Sequence, residues 1–138
     1  IGYATLIRAA LPHLLERDGG SIVCTTTSTN SPPIGRDTAP VAYSSSKAGV
    51  NAMCRHVASR WGQEGIRCNA VAPGVVLTET AIAVTPPEFI EELKAGLRSP
   101  RLGVPEDIAG AVAYLLSDDG AWINGQILGV NGGAYLNP

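Results

Sequence analysis

Tyr43-Ser44-Ser45-Ser46-Lys47 sets a phenol and an ammonium four residues apart, at the start of a helical run. On a helix, positions i and i+4 share a face, one turn apart. Tyrosine ordinarily keeps its proton to about pH 10. A lysine cation one turn away favours the tyrosinate and lets a phenol pass a proton nearer neutrality. That is the chemistry of a general acid/base. The spacing alone is common by chance, so its meaning depends on the elements that would position it.

Those elements alternate. Residues 3–16 read as a helix with Ile7, Leu11, Leu14 and Leu15 on one stripe, and Pro12 bends it or marks its last turn. Gly19-Gly20 breaks the chain. Ser21 to Thr27 is β-branched and reads as a buried strand, and Asn30 to Pro40 as a loop. A long helix runs from about Tyr43 to Trp61, with Val50, Met53, Cys54, Val57 and Trp61 on its apolar face, closed by Gly62 and Gly65. Ile66 to Val71 is a second strand, and Pro73-Gly74 turns the chain outward. Thr85-Pro86-Pro87-Glu88 predicts a helix start, with Thr85 as N-cap, Pro86 at the first position and Glu88 closing a capping box. Phe89, Ile90, Leu93 and Leu97 give that helix its apolar side. Pro105-Glu106-Asp107 opens another helix, acidic where the macrodipole favours it, and Gln126 to Val130 is a last strand.

The order α-β-α-β-α-α-β predicts an α/β fold, a parallel sheet with right-handed crossovers. Three strands are few for a doubly wound sheet, so half of one is expected elsewhere. There is no Gly-x-Gly-x-x-Gly phosphate loop in these 138 residues. Nor is there an internal repeat, a low-complexity segment or a sign of a second domain.

Composition narrows the classes. Hydrophobic residues make up 45% and charged residues 16%, as in a well-buried globular domain. The net charge of −2 and the lack of a basic stripe argue against nucleic acid or an anionic membrane as partner. No apolar run approaches the roughly 18 residues of a membrane span. Cys24, Cys54 and Cys68 lie in apolar contexts without CxxC spacing and read as reduced, buried thiols rather than metal ligands. This is the pattern of a cytoplasmic protein. His13 and His56 read as ordinary helix residues, and Trp61 as core or subunit interface.

Taken together, the motifs resemble the C-terminal half of a short-chain dehydrogenase/reductase. The matching pieces, in order, are Gly20-Ser21-Ile22-Val23 with a hydroxyl-rich strand end, Tyr43-x-x-x-Lys47, and Asn69-Ala70-Val71-Ala72-Pro73-Gly74 with Thr78. Then follow Arg101-Leu102-Gly103-Val104-Pro105-Glu106-Asp107-Ile108-Ala109 and Gly125-Gln126-Ile127-Leu128-Gly129-Val130-Asn131-Gly132-Gly133. Five ordered motifs are far more specific than any one.

The resemblance implies a Rossmann-type, doubly wound sheet of which residues 1–138 form the C-terminal catalytic part, with the dinucleotide-binding half upstream. It implies NAD or NADP as cofactor, a small-molecule alcohol or carbonyl substrate, and a homo-oligomer, dimer or tetramer. Tyr43 resembles the group that exchanges a proton with the substrate oxygen. Lys47 resembles the residue that assists the tyrosine and hydrogen-bonds the nicotinamide ribose. Pro73, Gly74 and Val76 would line the nicotinamide, and Thr78 would bond its carboxamide or a phosphate. The family's strand-end serine is open between two residues: Thr27 has the straight register, and Ser28, preferred here, has the usual side chain. Asn131 stands where the family has an aspartate, which should keep the turn without its carboxylate. Ala81, Ile82, Ala83, Val84, Phe89 and Ile90 read as a pocket wall or as packing of a lid. The implied activity is hydride transfer between a carbinol or carbonyl carbon and the nicotinamide. The alternatives are a non-catalytic nucleotide-binding regulator and an inactive structural fragment, and residues 1–138 alone are not expected to be active.

Overall fold

The computed structural model describes residues 2–28 and 39–136. Most of the loop read at 30–40 lies outside the described residues. In chain order the elements are α1 (Gly2–Leu15), β1 (Gly20–Thr25), α2 (Val41–Trp61), β2 (Ile66–Pro73), α3 (Glu79–Val84), α4 (Pro87–Ala95) and α5 (Pro105–Leu116). A 3-10 turn at Asp118–Gly120 and β3 (Ile127–Val130) follow.

The three strands form a parallel sheet in the order β1-β2-β3. Gly20 pairs with Ile66 and Ala70 with Ile127, which fixes the register of both ladders. The expected class, a parallel sheet with flanking helices, is what forms. Period-two alternation sorts β2 into two faces. Ile66, Cys68 and Ala70 turn toward α1 and α2, where they join Ile7, Leu11, Cys24, Val50, Cys54 and Val57 in one buried cluster. The opposite face meets α5. There Leu115 is fully buried, its carbonyl accepts from Ser21 Oγ at 3.0 Å and from Arg67 Nη1 at 2.7 Å, and Arg67 Nη2 donates to Ser117 O. Burying a leucine of this kind contributes about 1.5–3 kcal/mol. Asn69, fully buried on the same face, donates to Ile123 O at 2.8 Å and accepts from Gln126 N at 2.9 Å. It ties β2 to the approach of β3.

The chain reaches each strand through tight turns. Gly19 (φ 126°) and Gly65 (φ 80°) lie back to back, so that a Cβ on Gly19 would stand 2.6 Å from Gly65 O. Only glycine fits this crossing.

Three readings need correction. β1 ends at Thr25, not Thr27, because the last ladder bond is Thr26 N to Val71 O at 2.8 Å, after which the Thr26 hydroxyl turns to donate to Lys47 O. The helix expected from Thr85 begins at Pro87, with Pro86 as N-cap and no side-chain cap bond. Helical geometry is disfavoured for a residue before proline, and Pro86 is extended at φ −58°, ψ 141°. Thr85 instead closes α3, a helix the apolar pattern did not reveal, by donating its N–H to Ala81 O. With only six residues, α3 is too short to show a periodicity.

Candidate active site

In an open parallel sheet the crevice at the carboxyl ends of the strands is where side chains from neighbouring strands and helices converge. β1 ends at Thr25 and β2 at Pro73, side by side. α2 starts above them. Its first two turns present Tyr43 and Lys47, one turn apart on the same face, as their spacing requires.

Lys47 Nζ donates to Thr25 O at 2.9 Å, which anchors the ammonium to the end of β1. The same Nζ lies 5.9 Å from the Tyr43 ring centroid and 5.9 Å from that of Tyr3. Both distances are within the range of cation–π attraction. Tyr3, from α1, donates its hydroxyl to Thr25 O at 3.2 Å and accepts from Thr25 N at 3.1 Å. Two donors from two helices therefore hold one strand-end carbonyl. Tyr43 itself is 44% exposed, so its phenol is open to an incoming molecule. Tyr3 escaped the sequence reading, since a lone tyrosine on an amphipathic helix carries no spacing signal and its partners lie 22 and 44 residues away.

Thr27 and Ser28 are both buried, just beyond the end of β1. Ser28 Oγ donates to Pro73 O at 2.9 Å. Alternation along a strand would have faced only one of them to the site. With the strand over by Thr25, both line one cavity of about 300 Å³. Pro73, Gly74 and Val75 form its floor, Leu93, Gly96 and Leu97 one side, and Ala134 and Tyr135 another. The wall residues expected from 81–90 are not there: Ile82, Val84 and Phe89 are 53%, 76% and 49% exposed. The apolar wall comes one helical turn later, from Leu93 and Leu97. Tyr43 and Lys47 are not among the residues lining this cavity.

Beyond β2 the chain is clamped by the Arg101-to-Asp107 motif. Leu77 N donates to Gly103 O at 2.8 Å, and Gly103 N to Val75 O at 3.2 Å, a parallel bridge centred on Val76 and Gly103. The bridge uses the groups of Val75 and Leu77, so the N–H and C=O of Val76 itself point away from Gly103. Arg101 grips Asp107 through two hydrogen bonds, at 2.7 and 2.8 Å, and Asp107 Oδ2 also accepts from Val104 N at 2.8 Å. These bonds, the arginine's first, hold the Asp107 carboxyl well below the usual carboxylate range. Thr78 Oγ1 accepts from Ala81 N at 3.1 Å and caps α3, which leaves the exposed hydroxyl its proton to donate.

Gly74 packs against the Asn131 turn: a Cβ there would lie 2.8 Å from Asn131 Cα. The side chain of Asn131 accepts from Gly133 N at 3.0 Å and donates to Tyr135 O at 3.2 Å. The turn is kept, as expected of this departure. The amide also makes a donor bond that a carboxylate could not.

The comparisons with known proteins agree with this architecture. A family model described as enoyl-(acyl carrier protein) reductase matches residues 1–135. The chain belongs to the short-chain dehydrogenase/reductase family. It is 40% identical, over 126 residues, to a probable short-chain type dehydrogenase/reductase of Bradyrhizobium diazoefficiens, covering 91% of this chain and 44% of that one. It is 38% identical, over 129 residues, to a 7α-hydroxysteroid dehydrogenase of Clostridium sardiniense, covering 94% and 48%. Among solved structures, a 7α-hydroxysteroid dehydrogenase complexed with NADH and 7-oxo glycochenodeoxycholic acid superposes with a TM-score of 0.83 at 34% identity, covering 96% of this chain and 51% of that one. A putative NAD(P)-dependent gluconate 5-dehydrogenase from Beutenbergia cavernae with bound NADP gives 0.83 at 32%, covering 94% and 51%. The chain thus spans about half the length of the relatives it matches.

Proposed function

We propose that this chain is the catalytic part of an NAD(P)-dependent oxidoreductase that interconverts an alcohol and a ketone or aldehyde. The observation that carries the reading is the Lys47 ammonium, fixed at 2.9 Å on the Thr25 carbonyl and lying beside the exposed Tyr43 ring at the carboxyl end of a parallel sheet. Relatives that bind NADH or NADP support the choice of cofactor.

The residues present fit the nicotinamide end of such a cofactor. Lys47 offers donors to a ribose, Val76 turns its N–H and C=O away from Gly103, and Thr78 keeps a hydroxyl proton. When bound, the nicotinamide supplies or accepts the hydride. The chain's own residues handle the proton and the charge. Tyr43 donates its phenolic proton to the substrate oxygen as a carbonyl is reduced, or takes it back in the other direction. Lys47 places a positive charge where the phenolate forms. Ser28 or Thr27 gives the substrate oxygen a second donor; for Ser28 this requires its hydroxyl to rotate off Pro73 O. Leu93 and Leu97 favour a substrate with an apolar body beside the reacting carbon.

Tyr43→Phe in the full-length gene product tests the assignment. It should lower turnover by about 10²–10⁴-fold and leave NAD(P) affinity nearly intact. Lys47→Met should lower both turnover and cofactor affinity, because the ammonium serves both. Turnover in Tyr43→Phe above a tenth of wild type, with the protein folded, would sink the role of the phenol. A Lys47→Met protein with unchanged cofactor affinity would remove the ribose contact.

A further inference from the structure

Cys24, Cys54 and Cys68 have no part in the proposed reaction, yet three separate elements bring them together. Cys68 pairs across the ladder with Ile22, two residues before Cys24, so the two cysteines are diagonal neighbours on one face of the sheet. Cys54 comes down on that face from α2. All three are free thiols, at most 1% exposed, and their Sγ atoms lie within 4.8 Å of one another. A buried cysteine alone is a small apolar residue. Three converging sulfurs form a donor set.

We propose that this cluster is a buried site for a soft monovalent cation, Cu+, held by three cysteine sulfurs. The centre of a triangle with 4.8 Å edges is about 2.8 Å from each vertex, against about 2.3 Å for a metal–thiolate bond. Half an ångström of side-chain movement per sulfur closes the gap. Ligand type argues for copper, because thiolates favour soft ions over the hard cations that carboxylates bind. Ligand number argues against zinc, whose structural sites take four ligands. Among the described residues no fourth His, Cys, Asp or Glu joins the cluster. In the metal-free protein the Cys54 thiol donates to the carbonyl of Asn69 at 3.7 Å, a bond that ends when the ion takes the place of its proton. Each thiol proton that the ion displaces leaves to solvent, so uptake releases protons and strengthens as pH rises. The sulfurs are sealed from solvent, so the ion enters as the chain folds.

The test uses the full-length gene product, refolded without oxygen in the presence of Cu+ buffered by a bicinchoninate chelator. One Cu+ per chain should be withdrawn from the chelator, with an ultraviolet thiolate-to-copper charge-transfer band. Cys24→Ser, Cys54→Ser and Cys68→Ser should each weaken binding by at least the 10–100-fold typical of losing an outer-shell partner. X-ray absorption on the wild-type protein keeps the proposal falsifiable if those variants fail to fold. It should find three sulfur neighbours at about 2.3 Å. No withdrawal of copper, a shell with fewer than three sulfurs, or a copper signal that persists in the triple variant would overturn it. Preferential uptake of Zn2+ in a four-coordinate shell would overturn the monovalent assignment.

Discussion

Which hydroxyl meets the substrate is a question that one residue of register decides. Thr27 has the straight register from Ser21, and Ser28 has the side chain the family pattern leads one to expect. The structure puts both at the cavity, because β1 ends before either of them. Ser28 Oγ donates to the Pro73 carbonyl, on the strand that also shapes the cavity floor. That bond holds its oxygen at the meeting of β1 and β2, and on side-chain type Ser28 is the donor we propose. Ser28→Ala should lower turnover by about 10²–10³-fold, in the range of removing one oxyanion-type donor, while Thr27→Val should cost far less. Steady-state kinetics on the two full-length variants decides it, and a selective loss in Thr27→Val would hand the role to the straight register. At this scale the geometry was legible where it was local. Tyr43 and Lys47 are one turn apart on any helix. Tyr3 was not legible, because its contact with Thr25 exists only once α1 docks beside β1. The cysteine cluster was equally hidden, since positions 24, 54 and 68 meet only through the β1–β2 register and the seating of α2.

Elements were legible in proportion to their length and periodicity. α2 and β2 carry apolar patterns and appear where those patterns put them, within two residues, and α5 starts at Pro105 as read. α3 has six residues and no buried side chain, so no pattern could announce it. The capping box read at Thr85 shows why a local motif can lose to a stronger constraint: Pro87 biases Pro86 away from helical geometry, and the motif does not form. α5 is the counter-case. Pro105 opens it, and Asp107 secures it by accepting from Val104 N and from Arg101. The folded Asp107 carboxyl titrates well below its unfolded value, with Arg101 the larger cause. A depressed carboxylate contributes stability that is present above its unfolded pKa, near 4, and is lost as pH falls through the folded one. Asp107→Asn should therefore destabilise the protein at neutral pH and flatten the acid limb of its stability profile. It should also loosen Gly103, and with it the Val75–Leu77 segment, so cofactor affinity should fall although Asp107 lies outside the proposed contacts. Thermal melts of wild type and variant between pH 3 and pH 7 check this; parallel profiles would show that the pair is inert.

At the scale of the whole molecule, the described sheet has β1 at one edge. Among the described residues β1 pairs only with β2, and of its six residues only Cys24 is buried, although Ile22 and Val23 are the kind of residue a parallel sheet encloses on both faces. Leu6, Trp122, Leu128 and Leu136 are also exposed, at 67%, 97%, 38% and 64%. An edge strand with unpaired backbone groups and β-branched side chains is a template for pairing with another copy. Scattered apolar residues of this size add surfaces that invite association. The chain spans about half the length of its relatives, and the residues that would cradle a pyrophosphate are not in its sequence. Expressed as 138 residues alone, it should therefore aggregate or unfold without cooperativity and bind NAD(P) poorly. The full-length gene product should stay dispersed as a homo-oligomer. Light scattering, denaturant melts and cofactor titration on the two proteins measure the difference. A monodisperse 138-residue chain with cooperative unfolding and micromolar cofactor affinity would mean that β1 tolerates its open edge, and that Lys47, Val76 and Thr78 hold the nicotinamide end without help.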